Sequence, residues 1–153
     1  MTAALDGADP FILLDDGFVS HYDWRDGGGL LAWARVSGAG DRYWLCRDRA
    51  PGREVVGEGV FETDGHCSYS PDRRWILTDT YPDAEGRRTL IVYNPEEDRR
   101  VDLGRFFSGN LEGPVRCDLH PRWSRDGRSV CFDSVHEGAR QMYLISVGGI
   151  VDG

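Results

Sequence analysis

Short apolar runs, each closed by a cluster of Gly, Pro, Asp or Asn, follow one another along most of the chain. Runs this short, rich in β-branched and aromatic residues and bounded by breakers, predict strands rather than helices. The middle of the chain is the clearest. Residues 67–70 read as an inner strand and Pro71-Asp72-Arg73-Arg74 as a tight turn, followed by a second strand over Trp75–Asp79. A loop at Pro82–Gly86 leads to a third strand, Thr89–Tyr93, then a turn at Asn94–Asp98 and a short outer strand over residues 100–103. Four antiparallel strands of rising exposure make one propeller blade.

The pattern is written three times. A later segment repeats it with strands at 122–124, 129–133 and 141–147, and an earlier, looser one has strands at 20–24, 30–34, 43–46 and 55–56. Phe11-Ile12-Leu13-Leu14 reads as the outer strand of a preceding blade, and Gly104–Pro114 as a long connection between the second and third repeats. Each repeat opens with a histidine three residues before an aromatic: His21 with Trp24, His66 with Tyr69 and His120 with Trp123. Behind each comes an acidic turn, at Asp26, Asp72 and Asp126. Spacings of 45 and 54 residues between the histidines match blade periods. The expected fold is therefore all-β: about three four-stranded antiparallel β-propeller blades over approximately 18–58, 62–107 and 115–150, in one domain. A ring needs about four to eight blades. This count leads us to expect either missing upstream blades, which the abrupt start favours, or a homo-oligomer that completes the ring.

Composition narrows the function. A net charge of −8 argues against nucleic-acid and anionic-membrane surfaces, which call for a basic face. No apolar stretch reaches the length of a membrane span, and residues 1–10 lack the basic and apolar regions of a secretory leader. Cys46, Cys67, Cys117 and Cys131 have no C-x-x-C spacing and read as reduced thiols of a cytoplasmic protein. A zinc cluster of Cys67 and Cys117 beside His66 and His120 is a lesser reading. There is no G-x-S-x-G elbow, P-loop or H-E-x-x-H helix.

The text Ser70-Pro71-Asp72…Trp75-Ile76-Leu77-Thr78-Asp79 and His120-Pro121-Arg122-Trp123-Ser124-Arg125-Asp126-Gly127…Gln141-Met142-Tyr143 resembles the WD40-like repeat of the TolB type. Within that group the chain is similar to the oligogalacturonate lyase family over residues 18–147. That resemblance implies a divalent metal near the channel mouth, manganese foremost, and β-elimination on an acidic oligosaccharide. It matches His21 with Trp24 to the family's His-x-x-Trp start, and His120 to one histidine of its later pair. Where the family has that pair's other histidine this chain has Asp118, and where it has a glutamine ligand this chain has Val115. The family's catalytic histidine and arginine would lie upstream of Met1, so the resemblance implies incomplete lyase machinery.

Blade-opening positions line a channel, so His21, His66 and His120 are the expected metal ligands, with Asp118, Asp79 and Asp133 as oxygen donors. Three imidazoles and a carboxylate suit a first-row divalent ion. Arg116, Arg122 and Arg140 would hold a substrate carboxylate, with His136 as a further contact. The catalytic base is unknown. Against this stands the plainer reading that repeat-opening histidines satisfy backbone groups of a neighbouring blade. The rival functions are a non-catalytic TolB-like binding module and a truncated gene product. Asp72 and Asp126 are expected to be turn formers, and Trp24, Tyr69, Trp75 and Trp123 blade-packing core.

Overall fold

The structure, a computed structural model, describes residues 1–109 and 116–152. Its strands are β1 (Phe18–Trp24), β2 (Gly29–Val36), β3 (Gly40–Arg47), β4 (Arg53–Val55), β5 (Ser68–Tyr69), β6 (Ile76–Asp79), β7 (Arg87–Asn94), β8 (Arg99–Phe107), β9 (Arg122–Trp123), β10 (Ser129–Ser134) and β11 (Gln141–Ser146), with one short helix, α1 (Gly148–Val151). They form three antiparallel meanders: β1-β2-β3-β4, β5-β6-β7-β8 and β9-β10-β11. No helix among the described residues is long and apolar enough to cross a membrane. The chain divides into two compact units, Met1–Asp64 and Gly65–Gly153.

In the first unit β2 is apolar and buried from Leu30 to Ala34, as a stretch covered on both faces should be, and Leu31, Ala32 and Ala34 are inaccessible. It pairs Leu31 with Leu45 and Ala32 with Trp44. One apolar cluster joins Ala34, Val36, Trp44 and Cys46 to Leu13, Leu14 and Val55. Tyr43 meets Trp33 and Phe61 edge-on, with ring centroids 5.0 and 5.2 Å away. Phe11–Leu14 is not the outer strand its composition suggests. Asp9 turns the chain at φ 57°, Phe11 pairs its backbone only with Thr2, and Leu13 and Leu14 serve as a lid on the cluster. Trp24 is likewise not core: it lies on edge strand β1 and stays 40% exposed.

In the second unit, β6 and β7 supply Trp75, Leu77, Leu90 and Val92 to a core completed by Leu119, Val130, Phe132, Val147 and Val151. The Trp123 indole N–H donates to the Ser68 carbonyl at 3.4 Å, tying β9 to β5. Both acidic turns are built alike. The Ser70 hydroxyl donates to Asp72 and accepts the Trp75 N–H; the Ser124 hydroxyl donates to Asp126 and accepts the Ser129 N–H. Each aspartate also accepts the N–H two residues on, from Arg74 or Arg128. Asp72 and Asp126 are thus turn formers.

Two boundaries differ from expectation. Residues 104–107 continue β8 instead of opening a loop: the register shifts at Leu90/Ile91 but the ladder runs on to Phe107, and Phe106 reaches Phe132 at 4.4 Å. The remainder of the expected connection, 110–114, and Val115 lie outside the described residues. The third sheet has three strands where four were expected, because after Ser146 the chain turns into α1. There Val147 and Val151 fill core volume instead of extending the sheet.

Candidate metal centre

His66, Asp118 and His120 each offer a ligand atom within 4.8 Å of the other two. The His66 and His120 rings stand 4.1 Å apart, tilted by 50°. His66 is seated where the chain runs against the end of β6. Its backbone N–H donates to Asp79 Oδ1 at 2.7 Å, and its Nδ1 lies 2.9 and 3.0 Å from the two Asp79 oxygens. Gly65 makes this approach feasible, since a Cβ there would sit 1.8 Å from the Asp79 carbonyl oxygen. His120, just before Pro121, holds φ at +40°. That is a left-handed conformation in which a side chain carries strain, and such strain gathers at functional sites.

Asp118 lies between two arginines. Arg88, 5% exposed, contacts it at 2.5 Å, and Arg116 Nε bonds it at 2.8 Å. Arg88 is itself fixed by the Ser108 hydroxyl and the Thr80 carbonyl. Burial works to raise the Asp118 pKa, but the Arg116 hydrogen bond and the Arg88 charge outweigh it and hold the carboxyl below the usual aspartate range. Burial and the neighbouring His66 push His120 below the ordinary histidine value. Its imidazole is therefore neutral at neutral pH, the form that binds metal. Two guanidiniums leave lone pairs unused on a carboxylate, so a donor set of two imidazoles and one carboxylate fits a first-row divalent ion.

The other expected site residues are not members of this ligand cluster. His21 lies in the first unit, its Nδ1 3.0 Å from Asp64 and 3.1 Å from the Ser20 hydroxyl. Arg122 and Arg140 approach a single carboxylate, Asp133, at 3.5 and 3.8 Å. His136 packs its ring on Phe106 and Tyr143 and bonds the Ser134 hydroxyl. All four cysteines are free thiols. Neither Cys67 nor Cys117 belongs to the three-residue cluster, and burial raises the Cys117 pKa, which favours the thiol over the metal-binding thiolate.

No protein-family model and no curated protein sequence matches the chain. Solved structures do. TolB from Acinetobacter baumannii is similar with a TM-score of 0.69 and 22% identity, over 95% of this chain and 34% of that one. A TolB from Agrobacterium tumefaciens gives 0.62 and 18%, over 90% and 47%. An oligogalacturonate lyase from Vibrio parahaemolyticus gives 0.64 and 16%, over 84% and 35%. The three sheets are β-propeller blades. The chain spans between 34% and 47% of the length of these propellers.

Seen as blades, the repeats carry a signal beyond the histidines. An aspartate stands two residues before the second and third of them, as Asp64-Gly65-His66 and Asp118-Leu119-His120. Each reaches back to the histidine one blade earlier: Asp64 to His21, and Asp118 to the neighbourhood of His66. Sequence reasoning missed Arg88. The available clue was its place in β7, where it shares parity with buried Leu90 and Val92 and so sits on the inward face.

Proposed function

We propose that the His66–Asp118–His120 cluster binds a divalent first-row ion, manganese foremost, and that this propeller piece serves a site for an acidic oligosaccharide of the oligogalacturonate type. The observation that carries the reading is the convergence of two imidazoles and a carboxylate within 4.8 Å. A second feature supports an anionic ligand. Around the cluster stand four guanidiniums, of Arg88, Arg116, Arg122 and Arg140, against three carboxylates, of Asp79, Asp118 and Asp133. In a chain of net charge −8 this is a local reversal of sign. Arg116, Arg122 and Arg140 are 43%, 50% and 56% exposed, so their guanidiniums are within reach of a sugar carboxylate. A bound ion would supply Lewis acidity toward a uronate carboxylate, which favours loss of the adjacent C–H proton in β-elimination. His66 and His120 would be its ligands, so the base must be another group.

The second reading is a non-catalytic TolB-like binding module. It is favoured by the tie of Asp118 to Arg88 and Arg116, an ion-pair network that gives the carboxylate a structural role. Calorimetric titration of the purified chain with manganese separates the two. About one ion bound, together with unsaturated product from oligogalacturonate, supports the lyase reading. Binding of neither ion nor oligosaccharide leaves the interaction module.

A further inference from the structure

We infer that Asp79 is a positioning residue that fixes the tautomer of His66, so that Nε2 presents a lone pair toward Asp118 and His120. The inference rests on the metal reading above and adds the element that orients its first ligand. The Asp79 side chain, at the end of β6, is fully buried. One of its oxygens accepts the His66 backbone N–H at 2.7 Å and lies 2.9 Å from Nδ1 of the same residue; the other lies 3.0 Å from Nδ1. A carboxylate offers only acceptors. In the neutral ring Nδ1 therefore carries the proton and Nε2 the lone pair, the arrangement by which outer carboxylates orient metal-binding histidines.

The backbone enforces the same geometry. A Cβ on residue 65 would lie 1.8 Å from the Asp79 carbonyl oxygen and 2.7 Å from Thr78 Oγ1. Gly65 thus lets the chain close against β6, and the carboxylate grips the main chain and ring of the next residue together. Rotation of the imidazole would break two contacts at once. With this clamp in place Asp118 is not needed at Nδ1. In the first unit the aspartate of the Asp-x-His pair, Asp64, is engaged with the Nδ1 of His21. In the second, Asp79 has taken that role, and Asp118 remains beside His66 as a donor.

Long-range proton–nitrogen correlation spectra of the full chain, recorded across an alkaline pH series, read the tautomer directly. His66 is expected in the Nδ1–H form; an Nε2–H form would overturn the inference without any variant. In Asp79→Asn the introduced amide can turn its NH₂ toward Nδ1 and move the ring proton to Nε2. The expected result is that switch of tautomer in His66, unchanged signals from His120, and a loss of roughly 10–100-fold in manganese affinity. Unchanged tautomer and affinity would refute the role of Asp79. A wild-type chain that binds no manganese yet shows His66 as Nδ1–H would overturn the metal reading and uphold the clamp.

Discussion

His21 and His66 open successive repeats at the same place, three residues ahead of an aromatic, yet their surroundings are unlike. In the first unit the histidine meets a buried aspartate and a serine, and that aspartate engages its Nδ1. In the second unit the ring is held from behind by Asp79, has a second imidazole at 4.1 Å, and has Asp118 within ligand reach. The difference begins in the second strand of each sheet. β6 closes on Asp79 and the third repeat carries Asp133 in the matching stretch, whereas β2 runs through Trp33 and Ala34. Without a carboxylate of its own there, the first repeat takes one from Asp64. A repeated histidine marks a position in a blade, and the acids around it decide whether that position can bind an ion.

The widest gap between the two units should appear in metal binding. His66→Ala and His120→Ala each remove a ligand, and manganese affinity should fall by more than the roughly 100-fold that bounds loss of an outer-shell partner. His21→Ala should cost less than either, with its main effect on the stability of the first unit, where Asp64 loses the imidazole contact. Titration calorimetry on the three variants checks this. An equal loss in His21→Ala would place the third imidazole on the same ion.

The aspartates of the two Asp-x-His pairs should differ in stability as well as in binding, since only Asp118 belongs to the ligand cluster. Arg88 and Asp118 have side chains only 6% and 8% exposed. Asp118→Ala strands a buried guanidinium and should cost about 3–5 kcal/mol in denaturant unfolding. Asp64→Ala removes a hydrogen bond from a histidine 30% exposed and should cost about 1 kcal/mol. The sign of the pH effect follows from the depressed Asp118 pKa. Its contribution is complete above the unfolded aspartate value and is lost as pH falls through the lower folded one. Wild-type stability should therefore drop in the acid range below the usual carboxylate pKa, and Asp118→Ala should flatten that drop.

Much of the fold could be read in advance because strands and turns are local. The runs at 76–79, 89–93 and 129–133, and the turn roles of Asp72 and Asp126, depend on residues within a few positions of one another. Phe11–Leu14 misled because an apolar run reports burial and not backbone pairing, and its burial is that of a lid. The third sheet has the three strands that its own repeat offered and no fourth, since the chain after Ser146 spends Val147 and Val151 on the core. In the site, His66 and His120 were visible through their period, and Asp79 was noticed as an acid. Its role as a clamp was not, since that depends on the chain folding back across 13 residues. Arg88 answers Asp118 over a still longer separation, and only parity along β7 hinted that it was buried.

The smallest effect concerns His120 and separates function from stability most cleanly. Its φ of +40° costs a side-chain-bearing residue about 1 kcal/mol, and Pro121 narrows its options further. Glycine adopts that region without penalty, and His120 is itself exposed, so little packing is lost on its removal. His120→Gly should therefore melt at or slightly above the wild-type temperature while losing manganese affinity, whereas His66→Ala takes from buried Asp79 its imidazole partner and should lose both. If His120→Gly melts well below wild type, the histidine is a structural part of the blade and the strain has no link to a ligand.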